Sequence, residues 1–369
     1  MPQEGCEELK QAVFRVDAAS FMGVGHLMRC LSLADYFADR GWECHFLTRV
    51  FNYDSTTTIV SRGHRAVRMA APKSYTFDAF SSWLGVPWLS DVEETSSLLR
   101  TIGGDSLLVV DHYAIDEKWE TLIRAQCHTL CVIDDLANRR HDCQVLIDQN
   151  EYLGLETRYN DLVSRDCRKL LGARYALLSR GYSGLSSIRD FGAPLTVFVF
   201  FGGIDRKGIT LKAVRALKKI GKEQIGCCHI VQSRQSDSHN ELKVELSTDE
   251  RFVLHARVDT LADIMLDCDF AIAAAGTNSW ERLCTGLPTL IATVSANQVP
   301  LAESLHKKHL AIYLGDADGL SEPVLRQWIE TFIEDHGRLT AMSVRGTNLV
   351  DGKGCERTFS VLTGKRKLN

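Results

Sequence analysis

An α/β chain of two doubly wound domains is what the 369-residue sequence predicts, on three observations. Short apolar runs alternate with amphipathic stretches along the chain, the alternation restarts near its middle, and glycines follow apolar strands in both halves. Strands that alternate with helices pair in parallel and are covered on both faces. The length also exceeds what one hydrophobic core usually organises.

In the first half, strands are read over 12–16, 43–47, 66–69, 107–110, 130–133 and 145–147. After the first of these, "HLMRCLSLADYFADRG" carries Leu27, Leu31, Leu33, Ala34 and Phe37 near helical spacing, and Gly41 supplies a stop. In the second half, strands are read over 195–201, 228–231, 252–254, 270–274, 289–292 and 311–313, with helices over "ITLKAVRALKKIG", "TLADIMLDC" and "SWERLCTG". The stretch 179–194, "SRGYSGLSSIRDFGAP", is rich in Ser and Gly without an apolar period and reads as a linker. It sets the domains at 1–180 and 194–369, with a helical last segment, from about Ser321, drawn as crossing back to the first domain. Two such domains predict a ligand in an interdomain cleft, at the carboxyl ends of both sheets.

A net charge of -4 provides no basic surface for nucleic acid or an anionic membrane. No run reaches the ~18 apolar residues of a membrane span. The polar start, "MPQEGCEELKQ", argues against a secretory signal, so a cytoplasmic location is expected, and the tail "KRKLN" reads as a solvated end. Cys127 and Cys131 lie four apart, but no second pair follows at zinc-ligand spacing. No metal and no cofactor are therefore expected, and the scattered thiols read as small buried hydrophobes. With no coiled coil or exposed apolar helix evident, a monomer is expected.

Chemistry concentrates where strands end. In "RVDAASFMGVGHLMRC", Gly23 and Gly25 permit a tight turn and a close approach to a ligand, and His26 opens the next helix. The positive end of a helix favours neutral imidazole, which a general base needs; a histidine packed under its own helix is the alternative. In "LLVVDHYAID", Asp111, His112 and Tyr113 emerge at a strand's carboxyl end. Gly202 and Gly203 repeat the strand–glycine–helix pattern and suit a phosphate, with Asp205 expected to brace the loop or cap the helix. In "AIAAAGTNSWERLCTGLP", Thr277, Asn278 and Ser279 crowd a helix start, another phosphate cradle, and Glu281 is placed for ribose hydroxyls. Asn297 and Gln298 follow the strand at 289–292 and offer amides for sugar hydroxyls or acetamido groups. His64, His239 and the Cys227–Cys228 pair show no constellation and read as structural or solvent-facing.

Together these stretches, with "WLGV", "VIDDLANRRHDCQVLIDQN", "LLGARYALL" and "DGKGCERT", occur in an order that resembles one family over essentially the whole chain. It is the UDP-2,4-diacetamido-2,4,6-trideoxy-β-L-altropyranose hydrolases of pseudaminic acid biosynthesis. The resemblance implies a glycosyltransferase-B-like pair of Rossmann-like domains. It also implies metal-independent hydrolysis to UDP and the free sugar, with inversion at the anomeric carbon. His26 would act on the water; Arg15, Asp17, Gly23, Gly25, Tyr113, Asn297 and Gln298 would line the substrate. Gly202, Gly203, Thr277, Asn278, Ser279 and Glu281 would hold the nucleotide. Two departures stand out: Val24 between the glycines, and "VQSRQSDSHNEL" at 231–242, where the family carries a shorter Asn-Pro-type loop. A UDP-sugar glycosyltransferase, a noncatalytic nucleotide-sugar binding protein and a UDP-sugar 2-epimerase are the other readings.

Overall fold

The computed structural model describes residues 10–72, 79–103, 106–185, 189, 191–203, 205–256, 258 and 260–364. The basic tail and nearly all of the polar start lie outside these residues. The chain forms two compact units. One runs to Asn150, continues over Gly154–Arg180 and takes the chain back from Lys353; the other comprises Glu151–Leu153 and Gly181–Gly352.

The first unit contains β1 (Gln11–Val16), α1 (Gly25–Ala38), β2 (Glu43–Arg49), α2 (Ser55–Ser61), β3 (Arg65–Met69) and α3 (Trp88–Ile102). Then come β4 (Leu107–Asp111), α4 (Glu117–Arg124), β5 (Thr129–Ile133), β6 (Val145–Asp148) and β7 (Arg168–Leu171). Its strands pair in parallel in the order β3-β2-β1-β4-β5-β6-β7. Two-residue periodicity divides β1 between two cores. Ala12, Phe14 and Val16 pack with Leu27, Leu31 and Phe37 of α1, whereas Val13 faces Val92 and Leu99 of α3 and Trp119 and Ile123 of α4.

The second unit contains β8 (Leu195–Phe200), α5 (Ile209–Lys218), β9 (Ile225–Val231), α6 (His239–Leu246), β10 (Phe252–His255) and α7 (Ala262–Leu266). It continues with β11 (Phe270–Ala274), α8 (Asn278–Cys284), β12 (Thr289–Thr293), α9 (Val299–Lys307), β13 (Ile312–Asp316), α10 (Glu322–Glu334) and α11 (His336–Leu349). The parallel order is β10-β9-β8-β11-β12-β13. Val197 and Val199, with Ile209, Leu217, Leu325 and Ile329, build its main core.

The last helix, α12 (Gly354–Leu362), belongs to the first unit. Phe359 sets its ring edge-on to Phe37 at 4.8 Å and to Trp42 at 6.2 Å. A Cβ on Gly354 would stand 2.0 Å from the Ala176 carbonyl oxygen, so glycine lets the helix start flush against that backbone.

Two differences from the sequence reading have clear causes. The stretch read as a linker is built into the second unit from Gly181 on, wherever it is described. Tyr182 and Phe191 are 1% and 4% exposed, and the Arg189 guanidinium donates to carbonyls of Met265, Thr285 and Gly286 at 2.8–3.1 Å, tying down the ends of α7 and α8. Strand β7 was missed because "RKLL" is four residues long with two cations, and its place depends on β6.

Behind β5, the buried His141 is held by Glu120 (Nδ1 to Oε1, 2.7 Å), with Asp134 near its other nitrogen. Burial alone would lower its pKa, but the two carboxylates win and raise it to about 9. A histidine raised in the folded state stabilises fully below its unfolded value near 6.5, and that stability is lost as pH rises through about 9. Thermal melts are expected to show a loss on the order of 2–3 kcal/mol between pH 7 and 10 that His141→Gln abolishes.

Candidate functional site

In each sheet the chain reverses its winding between two neighbouring strands, β1 and β4 in the first unit, β8 and β11 in the second. Ligands of open parallel sheets gather outside the carboxyl ends of such strands. The predicted residues cluster at these two places.

In the first unit, Gly23 has φ +79 and Gly25 opens α1, so His26 stands in the first turn of the helix. Its Nδ1 lies 2.7 Å from Oδ1 of Asp111, the last residue of β4. Burial would raise the Asp111 carboxyl, yet Arg29 and His26 outweigh it and hold it well below the usual carboxylate range. An ionised carboxylate only accepts, so the imidazole donates from Nδ1, which in the neutral ring leaves Nε2 as the acceptor. The His26 side chain is 11% exposed, and Nε2 has no hydrogen-bond partner among the described residues.

Arg29 completes the cluster. Its Nε and Nη2 donate to Asp111 at 2.6 and 2.7 Å, and Nη1 donates to Asp135 at 3.0 Å. The Tyr113 hydroxyl donates to the other oxygen of Asp135 at 2.6 Å. Burial, with Asp135 second, holds the Tyr113 hydroxyl protonated well beyond the normal range. The Tyr113 ring meets His26 edge-on at 4.5 Å, and Phe80 and Trp83 pack on Tyr113 at 5.1 and 5.6 Å. Asp111 was read as a strand-end candidate without an assigned role, and Arg29 was not read as a site residue. The available signal for Arg29 was its i,i+3 spacing from His26 on one helical face.

Arg15 and Asp17, expected at the substrate, are 0% and 1% exposed. Arg15 donates to Asp17 (2.6 Å) and Asp91 (2.7 Å), and Asp17 also accepts from the Arg49 backbone N–H at 2.6 Å. Odd-numbered positions of β1 face α3, which carries Asp91, so the pair lies inside the unit. A side-chain contact to a ligand would require that buried network to open.

In the second unit, Gly202 (φ +104) and Gly203 have no atom within 4 Å of where a Cβ would stand. Asp205 accepts from the backbone N–H groups of Thr210 (2.7 Å) and Ile209 (3.3 Å) and so caps α5. The divergent 231–242 loop is tied to this turn, Ser233 N donating to Gly203 O at 2.9 Å. Beside it, Thr277 is exposed ahead of α8. Arg282 ties the helix start together through Asn278 Oδ1 (2.7 Å), Ser279 Oγ (3.0 Å) and Ala274 O (3.0 Å). The Asn278 amide donates to Glu281. Burial pushes the Glu281 carboxyl up to about 7, against Asn278 and Arg282, which lower it. Gln298 accepts from Val294 N at 3.0 Å, and its amide nitrogen would lie 3.8 Å from a Cβ on Gly276. Asn297 is exposed and accepts from Ser295 Oγ at 2.6 Å. Among the described residues, no three His, Cys, Asp or Glu side chains are grouped to hold a metal ion. No described helix is long and apolar enough to cross a membrane.

Across 96% of this chain and 99% of its own, the structure of MurG from Acinetobacter baumannii superposes with a TM-score of 0.67 at 12% identity. The calicheamicin glycosyltransferase CalG4 gives 0.65, at 12% identity over 97% and 99% of the two chains. The chain has the glycosyltransferase-B fold. No family model matches it. In sequence it is similar to a spore coat polysaccharide biosynthesis protein of Bacillus subtilis, 22% identical over 45% of this chain and 49% of that protein. It is also similar to the UDP-2,4-diacetamido-2,4,6-trideoxy-β-L-altropyranose hydrolase of Campylobacter jejuni, 24% identical over 57% of this chain and 66% of that enzyme. The matches thus span about half to two thirds of these relatives' lengths. Within the glycosyltransferase-B fold, the two predicted clusters fall one in each unit.

Proposed function

We propose that the protein hydrolyses a UDP-linked diacetamido-trideoxy-hexose to UDP and the free sugar. The observation that carries this reading is the His26–Asp111 pair, a base whose free nitrogen points away from its carboxylate partner. Water would lose a proton to His26 Nε2 as its oxygen bonds to the anomeric carbon. The bond from that carbon to the diphosphate oxygen breaks, and its electron pair leaves on UDP, inverting the centre. A diphosphate leaves readily, and backbone N–H groups near Gly202 and the start of α8 suit its charge. The similarity to the Campylobacter enzyme supports the choice of sugar.

A transferase is the second reading, favoured by the whole-chain likeness to MurG and CalG4. In it the same base would take a proton from an acceptor hydroxyl. Following EDTA-treated protein with the UDP-linked sugar by NMR separates the two. Metal-independent release of the inverted free sugar supports hydrolysis; an intact substrate with UDP bound overturns it and leaves a transferase or a binding protein.

Glu281 provides a further check on the nucleotide. Its carboxylate accepts ribose hydroxyls only when ionised, so UDP affinity is expected to rise as pH passes upward through about 7. UDP itself gains charge nearby, so the diagnostic component is the part of the rise that Glu281→Gln removes. Glu281→Ala is expected to weaken UDP binding by about tenfold, as for one charge-assisted hydrogen bond. Unchanged affinity removes Glu281 from the ribose site.

A further inference from the structure

Arg29 lies one turn after His26 on α1 and is 4% exposed. Its guanidinium is divided between two carboxylates from different strand ends, Asp111 at 2.6 and 2.7 Å and Asp135 at 3.0 Å. Each carboxylate holds a different site residue. Asp111 takes His26 Nδ1 at 2.7 Å, and Asp135 takes the Tyr113 hydroxyl at 2.6 Å. The two held rings touch, with centroids 4.5 Å apart.

We propose that Arg29 is the positioning residue of this site, fixing His26 and Tyr113 in one relation to each other through Asp111 and Asp135. The proposal rests on the reading of His26 as the base. A planar guanidinium bonds two carboxylates at set angles, whereas an ammonium neutralises them without fixing either. Arg29 also helps hold the Asp111 carboxyl well below the usual carboxylate range, so Asp111 acts purely as an acceptor. Asp111 thereby sets the His26 tautomer. Asp135 accepts the hydrogen bond of the Tyr113 O–H, so the phenol oxygen, still protonated, meets a ligand only as an acceptor. Such an oxygen recognises a donor: the second O–H of the attacking water or an amide N–H on the sugar. A sugar carrying acylamino groups offers that donor.

The test uses the full chain with 15N-labelled histidine and 13C-labelled tyrosine, comparing wild type with Arg29→Lys and Asp135→Asn. In the wild type, His26 is expected in the Nδ1–H form. Arg29→Lys keeps a positive charge beside Asp111, so the Nδ1–H form should persist. The Tyr113 Cζ resonance should shift as its relation to Asp135 is released, and kcat should fall by about 10²-fold, as for a small misplacement of a catalytic group. KM and UDP affinity should stay within about twofold. An unmoved Tyr113 resonance with kcat unchanged, or a kcat loss matched by lost UDP binding, overturns the proposal. If Arg29→Lys does not fold, Asp135→Asn decides: it spares Asp111, so the His26 tautomer should persist while the Tyr113 Cζ resonance shifts. A Tyr113 resonance that does not move overturns the proposal. The spectra need no substrate. A wild-type protein inert toward the UDP-sugar therefore sinks the hydrolase reading, while the Tyr113 resonance still decides the role of Arg29.

Discussion

His26→Ala is expected to lower turnover of the UDP-sugar by roughly 10²–10⁴-fold, the range for loss of a positioned general base. UDP affinity should change by less than about twofold, because every nucleotide residue proposed above lies in the second unit. Initial rates and UDP titration on the same preparation check this. The loss should fall on kcat, since Nε2 matters only as the water's proton leaves. An equal loss of rate and UDP binding would instead mark His26 as a packing residue of α1.

Asp111→Asn is expected to cost as much, for a different reason. The asparagine amide can donate to His26 Nδ1, which turns the imidazole over to the Nε2–H form and removes its acceptor. The same exchange in a serine protease triad costs about 10⁴-fold, so a loss of about 10³-fold or more is expected here. The variant should also be less stable, by about 3 kcal/mol, because Arg29 loses its bidentate partner inside the unit. Activity therefore has to be measured well below the midpoint of its melt. Joined to His26→Ala, Asp111→Asn should cost little further activity, because the two residues act as one unit. Full additivity would break the link between them.

The two-unit α/β architecture was legible because alternation of apolar runs and helical periods is a local signal. So was the corner at Gly23, Gly25 and His26: strand, turn and helix are contiguous there, and the chemistry of each residue shows in its own position. What His26 touches was not legible. Asp111 is 85 positions away and meets it only because β4 pairs with β1, a matter of strand order. Arg15 and Asp17 point the same lesson in reverse. They sit near the glycine turn in sequence, but strand alternation turns Arg15 inward toward Asp91 on α3. The 179–194 stretch misled through composition. Its Ser and Gly content hides Tyr182, Arg189 and Phe191, whose anchoring partners lie elsewhere in the second unit.

The position of α12 has a consequence for how the protein is made. Phe359 and Cys355 close the core that Phe37 and Phe46 open, yet all of Gly181–Gly352 is translated between them. At ~5–20 residues per second, that intervening stretch takes on the order of 10–30 s to synthesise. Throughout that interval the nascent first unit carries an uncovered apolar stripe along α1, while the second unit is free to finish folding. Birth order and completion order are thus inverted: the unit begun first is completed last, and a ribosome that stalls before α12 displays a sticky surface for chaperones to find.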